Sequence, residues 1–462
     1  MKDLTAGKPA KLIMSFALPL TIGYIFQLCY SFADYKIVGL ALGKDALAAV
    51  GATSTLNDLV IGFLIGLTNG FSVISAQKFG AKSMDGLRKA AAHTISLGAA
   101  VSLILTVFCT VLLIPILHAL NVDAELMDYA ISYTRIIMLG MTSAMAYNIC
   151  ASLLRAVGDT VTPLIFLIIS TIINVGLDFL LMSVIKLGVA GAAYATVAAQ
   201  TISAVLCVIY IGIRYPMLHL RRSDFAFDKE LARRMMASGL SMGLMQSLVS
   251  FGTVALQSSI NTFSNNIIIA HTSARKLTSF FMMPFAVLGM TMAAYTAQNF
   301  GAERFSRIRT GVFTAVKITW VWCIALFAVI YTVVPKMMYF MASAGTMPPA
   351  DAQEIVSTGT LYLRVNCILY FVTAVISVFR NSLQGIGEHR TPIVSSALEL
   401  LGKVAIVVFL TPRIGYWGII VSEPIVWSIM VIPLIVWLMK HPAMRKDTPD
   451  GSVNAVLAEE KE

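Results

Sequence analysis

Four polar side chains interrupt apolar segments that are each long enough to cross a bilayer: Asp34, Asn174, Asp178 and Thr196. Asn174 and Asp178 are spaced i, i+4, so they share one face of a helix. An ionised aspartate inside a membrane costs about 2.5–3.5 kcal/mol unless it is paired or hydrated. Two neighbouring carboxylates raise the pKa of one of them, which suits a proton carrier near neutral pH. Amide and hydroxyl oxygens would equally suit a hard cation such as Na⁺.

The four side chains are expected at a similar depth in the membrane. At about 1.5 Å per residue, Asp34 lies roughly 35 Å along its helix and Asp178 roughly 27 Å along its own. Thr196 follows the outer start of the next helix closely. We therefore predict a cation-coupling site for H⁺ or Na⁺ at these positions. The alternative is that Asn174 and Asp178 only join neighbouring helices.

A second set of side chains could line a substrate cavity: Gln27, Tyr30, His271, Arg275, Met282, Met283, Glu399 and Lys403. The order and i, i+4 spacing of Glu399 and Lys403 favour an ion pair, which would either join helices or serve the cavity. His271 and Arg275 would line the cavity or contact lipid headgroups. The two methionines suit an adaptable apolar pocket, although methionine in a membrane core more often only packs. Glu423 is a further, weaker candidate because it is a lone acid in an apolar segment.

The composition of the chain is that of a membrane protein. Of its 462 residues, 58% are hydrophobic and 13% are charged, and the mean hydropathy is +0.80. A soluble domain of this length needs more charge to cover its surface. We predict an all-α membrane protein with about twelve transmembrane helices, since each needs roughly 20 apolar residues. The predicted spans are 11–38, 46–78, 87–117, 124–155, 160–186, 190–214, 230–263, 267–299, 304–335, 352–384, 390–411 and 415–440.

The formal net charge of +10 is explained by basic residues in the loops of a membrane protein and does not point to nucleic acid as a partner. Basic residues concentrate in alternate loops, and the other loops hold little beyond Lys44, Lys186, Lys336 and Arg413. The positive-inside rule therefore places both termini in the cytoplasm. The six cysteines all lie in apolar segments and predict neither a disulfide nor a metal site.

Three short segments recur in the same order in the second half of the chain. Three matches in register indicate a duplication, which predicts two six-helix lobes related by a pseudo-two-fold axis along the membrane normal. We predict an N-lobe at 1–214, a cytoplasmic linker at 215–229, a C-lobe at 230–442 and a disordered tail at 443–462. The matching segments are 75–81 with 296–302, 157–163 with 386–392, and 188–191 with 415–418.

These repeated segments, together with Asp34 before Val38-Gly39, Ala48–Gly51 and Asn174-x-x-x-Asp178, resemble the multidrug and toxic compound extrusion (MATE) family. The resemblance runs from Lys8 to about Lys440 and is to the DinF-like, bacterial multidrug branch. It implies export of amphiphilic, mostly cationic compounds in exchange for protons or sodium by alternating access. We also predict a multi-pass monomer in the bacterial inner membrane, with no cofactor beyond the coupling ion.

The same resemblance places a cation site at Asp34, Asn174, Asp178 and Thr196. The NorM-like branch carries acids in its seventh and tenth helices, whereas this chain has Val249 and Thr373 there. A C-lobe carboxylate site of that type is therefore not expected. Lys36 stands where family members more often have a small or apolar residue. Residues two apart do not face each other on a helix, so we expect Lys36 to reach the outer surface unless the helix is kinked.

Two other classes of function stay open at this point. A lipid-linked oligosaccharide flippase of the same superfamily usually has a strongly cationic central cavity and extra helices, and neither is evident here. A channel or an intramembrane enzyme fits the duplication poorly. The sequence has no GxxxxGK[ST], HExxH or GxSxG motif, so neither direct ATP use nor a common hydrolase site is expected.

Overall fold

A computed structural model describes residues 2–42, 44–120, 122–342 and 347–445, without the side chains of 29–36, 38–42, 44, 45, 47 and 55. Within these residues nearly all regular structure is α-helical. The helices are α1 (Pro9–Leu42), α2 (Lys44–Gly80), α3 (Met84–Val111), α4 (Leu113–Ala119), α5 (Met127–Leu139), α6 (Met141–Ala156), α7 (Val161–Asp178), α8 (Val189–Arg214), α9 (Lys229–Ile260), α10 (Asn265–Gly301), α11 (Phe305–Thr332), α12 (Val334–Met341), α13 (Pro349–Cys367), α14 (Tyr370–Gly385), α15 (Arg390–Ala405), α16 (Thr411–Ile414) and α17 (Tyr416–Lys440).

The described chain has ten helical segments long and apolar enough to cross a membrane, and up to twelve if each of two bent pairs is one span. The prediction of an all-α protein with about twelve transmembrane helices is thereby confirmed. The bent pairs join α5 to α6 at 44° and α13 to α14 at 55°. Large apolar side chains such as Ile213, Phe340 and Val111 are strongly exposed, as expected for a surface that faces lipid.

Both bends have causes in the packing of the helices. At Gly140, between α5 and α6, an added Cβ would lie 2.2 Å from a methyl group of Val197, so α8 can approach only a glycine. Just before the second bend, the amide of Asn366 donates to the Tyr362 carbonyl at 2.8 Å and to the Ile420 carbonyl at 3.2 Å. Side chains that enter the backbone ladder in this way are a common origin of kinks.

The chain divides into two compact units, which are 1–6 with 15–243, and 7–14 with 244–462. The division falls inside α9, because residues 229–243 of this helix pack in the first unit. An added Cβ on Gly70 would lie 2.5 Å from the Cα of Gly239, and one on Gly66 would lie 2.6 Å from the Met242 carbonyl. The Ser238 hydroxyl donates to the Gly70 carbonyl at 2.8 Å. Glycines thus let α2 and α9 pack backbone to backbone.

The duplication predicted from sequence is visible in the backbone of each unit. In the first unit α7 continues into a π-helix at Phe179–Val184, and in the second α15 continues into a π-helix at Ile406–Leu410. Each is followed by a glycine at positive φ, Gly188 at 63° and Gly415 at 60°. A 3₁₀ turn then follows α8 at Pro216–Leu218 and α17 at Pro442–Met444.

The loop before α7 is held by Asp159. Its carboxylate accepts from the backbone N–H groups of Val161 and Thr162, both at 3.0 Å, and from the hydroxyls of Thr162 at 2.6 Å and Tyr215 at 2.5 Å. Burial alone would raise the pKa of Asp159, but these hydrogen bonds outweigh it and hold the pKa below the ordinary value. Burial is the larger cause that raises the pKa of the Tyr215 hydroxyl, and the neighbouring Asp159 carboxylate raises it further.

In the second unit the corresponding cap is Glu388. One of its oxygens accepts from the backbone of Arg390 and Thr391 at 2.8 and 3.1 Å. The chain remains packed beyond α17, because Ala443 is fully buried and Met444 nearly so. The predicted disordered tail therefore does not start at 443, and residues 446–462 lie outside the described part of the chain.

Candidate functional site

Three of the four predicted cation-site residues are described, and they meet near the end of α7. Asp178 has no exposed surface and Asn174 is 2% exposed. The Asn174 amide donates to the hydroxyl of Thr196 on α8 at 3.5 Å, and that hydroxyl donates to the Ala192 carbonyl at 3.0 Å. The i, i+4 spacing thus places an amide and a carboxylate on the face of α7 that packs against α8.

The π-helix at Phe179–Val184 begins directly after Asp178. A π turn opens the regular hydrogen-bond ladder and is frequent at functional sites. Met182, within this turn, packs with Ala192 of α8 and with Ile37, Val50 and Tyr133. This apolar cluster lies one helical turn from Asp178 on α7 and one turn from Thr196 on α8.

The remaining members of the predicted site lie on α1. Asp34, Tyr30 and Lys36 fall in the helix, but their side chains are outside the described set. Gln27, one of the predicted cavity residues, is described and exposed. The predictions for Asp34, Tyr30 and Lys36 accordingly stay predictions.

In the second unit the predicted pair Glu399–Lys403 belongs to a larger buried ionic network. The Lys403 ammonium lies 2.9 Å from Glu399 and 3.8 Å from Glu423, and Arg275 donates to Glu423 at 2.6 Å. Arg380 of α14 lies 3.6 Å from the other oxygen of Glu399. The network joins α10, α14, α15 and α17, and its three cations face two carboxylates. Both carboxylates are thereby paired, as charges buried in a membrane must be.

A small enclosed cavity of about 10 Å³ adjoins this network, which is space for about one water molecule. It is lined by polar groups of His271, Arg275, Tyr362 and Glu423. Nδ1 of His271 lies 3.1 Å from the Tyr416 hydroxyl, and its ring packs edge-on against Tyr362 with centroids 4.9 Å apart. His271 and Arg275 therefore lie inside the unit and line this cavity.

The two predicted cavity methionines are adjacent on α10. Met283 is buried at 8% exposure and Met282 is half-buried. The Phe281 carbonyl beside them accepts from the indole of Trp322 at 3.0 Å, which ties this part of α10 to α11. Met283 thus contributes to the packing of the second unit.

Sequence analysis overlooked several charged residues inside membrane-spanning helices, among them Arg380 and Asp58. Arg380 completes the ionic network, and Asp58 is an exposed acid in α2, beside the buried Asn57. Both stand in apolar segments, so the rule that intramembrane charges are functional or paired would have found them. Tyr362 and Tyr416, which contact His271, gave no signal in the sequence because tyrosine is common in membrane helices.

Comparison with known proteins agrees with this architecture. The MatE family model matches residues 19–180 and 242–409. The chain is 29% identical over 301 residues to the probable multidrug resistance protein YoeA of Bacillus subtilis (strain 168), covering 64% of this chain and 65% of that protein. The match therefore spans just under two thirds of that relative's length. Over 438 residues it is 22% identical to the multidrug export protein MepA of Staphylococcus aureus (strain NCTC 8325 / PS 47), covering 93% of this chain and 94% of MepA.

Solved structures share the fold over nearly the whole chain. A crystal structure of MATE in the bent conformation has a TM-score of 0.86 at 22% identity and covers 99% of this chain and 98% of its own. A MOP superfamily transporter from Pyrococcus furiosus has a TM-score of 0.84 at 23% identity, with 94% and 96% covered. The resemblance inferred from the short repeated segments is confirmed. With more than half of its residues matched by the family model, in both units, this multi-pass membrane protein belongs to the MatE family.

Proposed function

We propose that this protein is a secondary multidrug exporter that moves amphiphilic, mostly cationic compounds out of the cell in exchange for protons. The observation that carries the proposal is the fully buried Asp178 beside Asn174 and Thr196, at the start of a π turn. A carboxylate at such a position is favoured only when it is neutral, paired or bound to a cation. The multidrug names of the curated relatives support the same activity.

Exchange requires that the cation and the substrate each favour a different one of two states of the carrier. A proton bound at Asp178 from the outer side would favour the state that releases substrate, and the coupling must be reciprocal. Substrate binding should then lower the affinity for the proton by the same factor. Asp34, Asn174 and Thr196 are proposed as the other members of this site. Sodium is the alternative ion, because an amide, a hydroxyl and carboxylates are hard oxygen ligands.

Flexible, apolar side chains support broad substrate recognition. The chain has 24 methionines and 24 phenylalanines, which adapt to the size and flatness of a ligand more than to its hydrogen bonds. We propose that the protein acts as a monomer in a bacterial cytoplasmic membrane, with both termini inside, and needs no cofactor.

Everted membrane vesicles test the coupling ion. Ethidium uptake is measured with an imposed pH gradient at zero sodium, and then with an imposed sodium gradient at constant pH. We expect uptake with the pH gradient only. Uptake that needs sodium, and proceeds without a pH gradient, would reassign the ion. Transport of only an anionic dye or a lipid-linked sugar would contradict the cationic multidrug assignment.

A further inference from the structure

A large cavity in the second unit lies apart from the residues discussed so far. It has a volume of about 980 Å³ and is formed mainly by α12 and by α13 from Pro349 to Arg364. This volume is at the upper end of the range for small-molecule sites, and most of the lining is apolar. The apolar walls include Tyr339, Met347, Val356 and Leu361.

One wall of the cavity carries a polar stripe along α13. Gln353, Ser357, Thr360 and Arg364 recur at intervals of three and four residues, so they follow one face of the helix, and all four line the cavity. Two atoms of this stripe, the Thr360 hydroxyl oxygen and Nε of Arg364, are buried and have no hydrogen-bond partner. Buried polar atoms are normally satisfied, so these two are candidates to bind a ligand in the cavity.

The charge of the cavity is positive. Lys336 is exposed at its edge, and Arg364 donates to the Tyr331 carbonyl at 3.2 Å while its guanidinium lies 5.3 Å from the Tyr331 ring centre. Neither cation forms an ion pair with any residue of the described chain. Asp351 and Glu354 of the same helix do not line the cavity, and both accept from Asn266, at 3.0 and 2.6 Å.

The cavity lies at the level where lipid headgroups are expected. Tyr331 stands near the end of α11, roughly 39 Å along the helix from its predicted cytoplasmic start at Phe305. The short helix α12 follows at once and exposes Tyr339 and Phe340, as amphipathic helices at a membrane interface do. Arg364, bonded to Tyr331, therefore lies at the predicted outer interface.

We propose that this cavity binds the headgroup of an anionic phospholipid of the outer leaflet. Arg364 and Lys336 would contact the phosphate, Thr360 would donate to it, and an acyl chain would lie along Tyr339, Val356 and Leu361. Guanidinium is suited to this task because its fork of donors matches phosphate oxygens. The proposal depends on the charge and shape of the second unit and is independent of the coupling ion in the first.

The test measures lipid binding to the purified full-length protein. Native mass spectrometry counts retained phosphatidylglycerol and phosphatidylcholine, and thermal stability is titrated with each lipid. We expect preference for phosphatidylglycerol and about fivefold weaker binding for each of Lys336→Gln and Arg364→Gln, from about 1 kcal/mol per basic residue. Lys336 is exposed, so its variant should fold normally even if the Arg364 variant does not.

The matched control is the double variant Lys186→Gln, Arg413→Gln, which removes two cations from the predicted outer side without touching the cavity. It should retain phosphatidylglycerol as the wild type does. Equal loss in Lys336→Gln and in the control would reduce the effect to general surface charge and overturn the proposal. Equal stabilisation by glycerol phosphate at matched concentration would identify a soluble anion as the ligand and would also overturn it.

Discussion

The two halves of the molecule contain the same π turn, with different side-chain chemistry beside it. In the first unit the helix before the π turn ends in Asp178, whereas in the second it ends in Ala405. Thr196 and Glu423 stand at the same distance in sequence after Gly188 and Gly415, yet one is neutral and the other is ionic. The first unit thus buries an aspartate that we propose to bind the coupling ion, and the second pairs its carboxylates with its own lysine and arginines.

This difference separates the requirements of the π turn from those of the proposed ion exchange. The π turn and the positive-φ glycine form without an acid at the end of the helix, so Asp178 is not required for the backbone geometry. Burial of an acid in a membrane helix has a cost in folding free energy, so its presence here points to function. In the second unit the lysine and arginines fill the place of a mobile cation, which predicts that only the first unit exchanges ions.

The largest expected effect comes from Asp178→Asn. The amide keeps the shape but cannot exchange a proton, so gradient-driven ethidium efflux should fall to the level of cells without the protein. Expression and thermal stability should stay near those of the wild type. The measurement is efflux in cells lacking other pumps, with purified protein checked by thermal unfolding. Wild-type efflux in this variant would remove Asp178 from the coupling mechanism and erase the proposed contrast between the units.

A smaller effect, on stability alone, is expected within the ionic network of the second unit. Glu399→Gln leaves Lys403 and Arg380 facing a neutral group, and breaking a buried pair in this way costs about 3–5 kcal/mol. Lys403→Met should cost much less, because Arg380 and Arg275 still pair with the two carboxylates.

Thermal unfolding of the two variants in the same detergent measures this asymmetry. Ion dependence of any remaining transport should be unchanged in both. A larger loss of stability in Lys403→Met than in Glu399→Gln would show that the two arginines alone do not pair both carboxylates. A changed ion dependence would assign coupling to the second unit as well.

The smallest effect concerns the caps at the start of α7 and α15. Asp159 engages both oxygens and Tyr215, whereas Glu388 engages one oxygen, so Asp159→Ala should cost about 2 kcal/mol and Glu388→Ala about 1. Because the pKa of Asp159 is lower in the folded state, its contribution is present above its ordinary value of 3.8 and is lost as the pH falls through the folded pKa.

Unfolding of wild type and Asp159→Ala between pH 7 and pH 3 tests this cap. Their difference in stability should shrink at the acidic end, while the Glu388→Ala difference serves as the comparison at each pH. A difference that grows on acidification would contradict the assigned direction of the pKa shift.

Much of the fold was predictable because membrane helices carry strong local signals. Length and hydropathy of apolar segments gave the helices, and the recurrence of Gly158-Asp159 as Gly387-Glu388 gave the duplication. The bends at Gly140 and after Asn366 were not predicted. They depend on contacts with Val197 and Ile420, which are remote in sequence.

The part of the candidate site that lies on one helix was predictable from residue spacing. The part that depends on contacts between helices was not. Asn174 and Asp178 share one helix, so their spacing alone places them together. The ionic network joins four helices, and only the Glu399–Lys403 pair within it is local. The contacts of Arg380 and Arg275 depend on helix packing, which single-sequence patterns do not specify.

The paired π turns also record the history of the chain. A π turn closes its hydrogen bonds one residue further along than an α turn, so it holds an extra residue in the helix. Its presence before the equivalent glycine in both halves indicates that the ancestral half-length gene already carried this extra residue when it was copied. The acid beside it was then kept or gained in one copy only. The descendant protein accordingly carries two π turns from one ancestor and has an acid directly before only one of them.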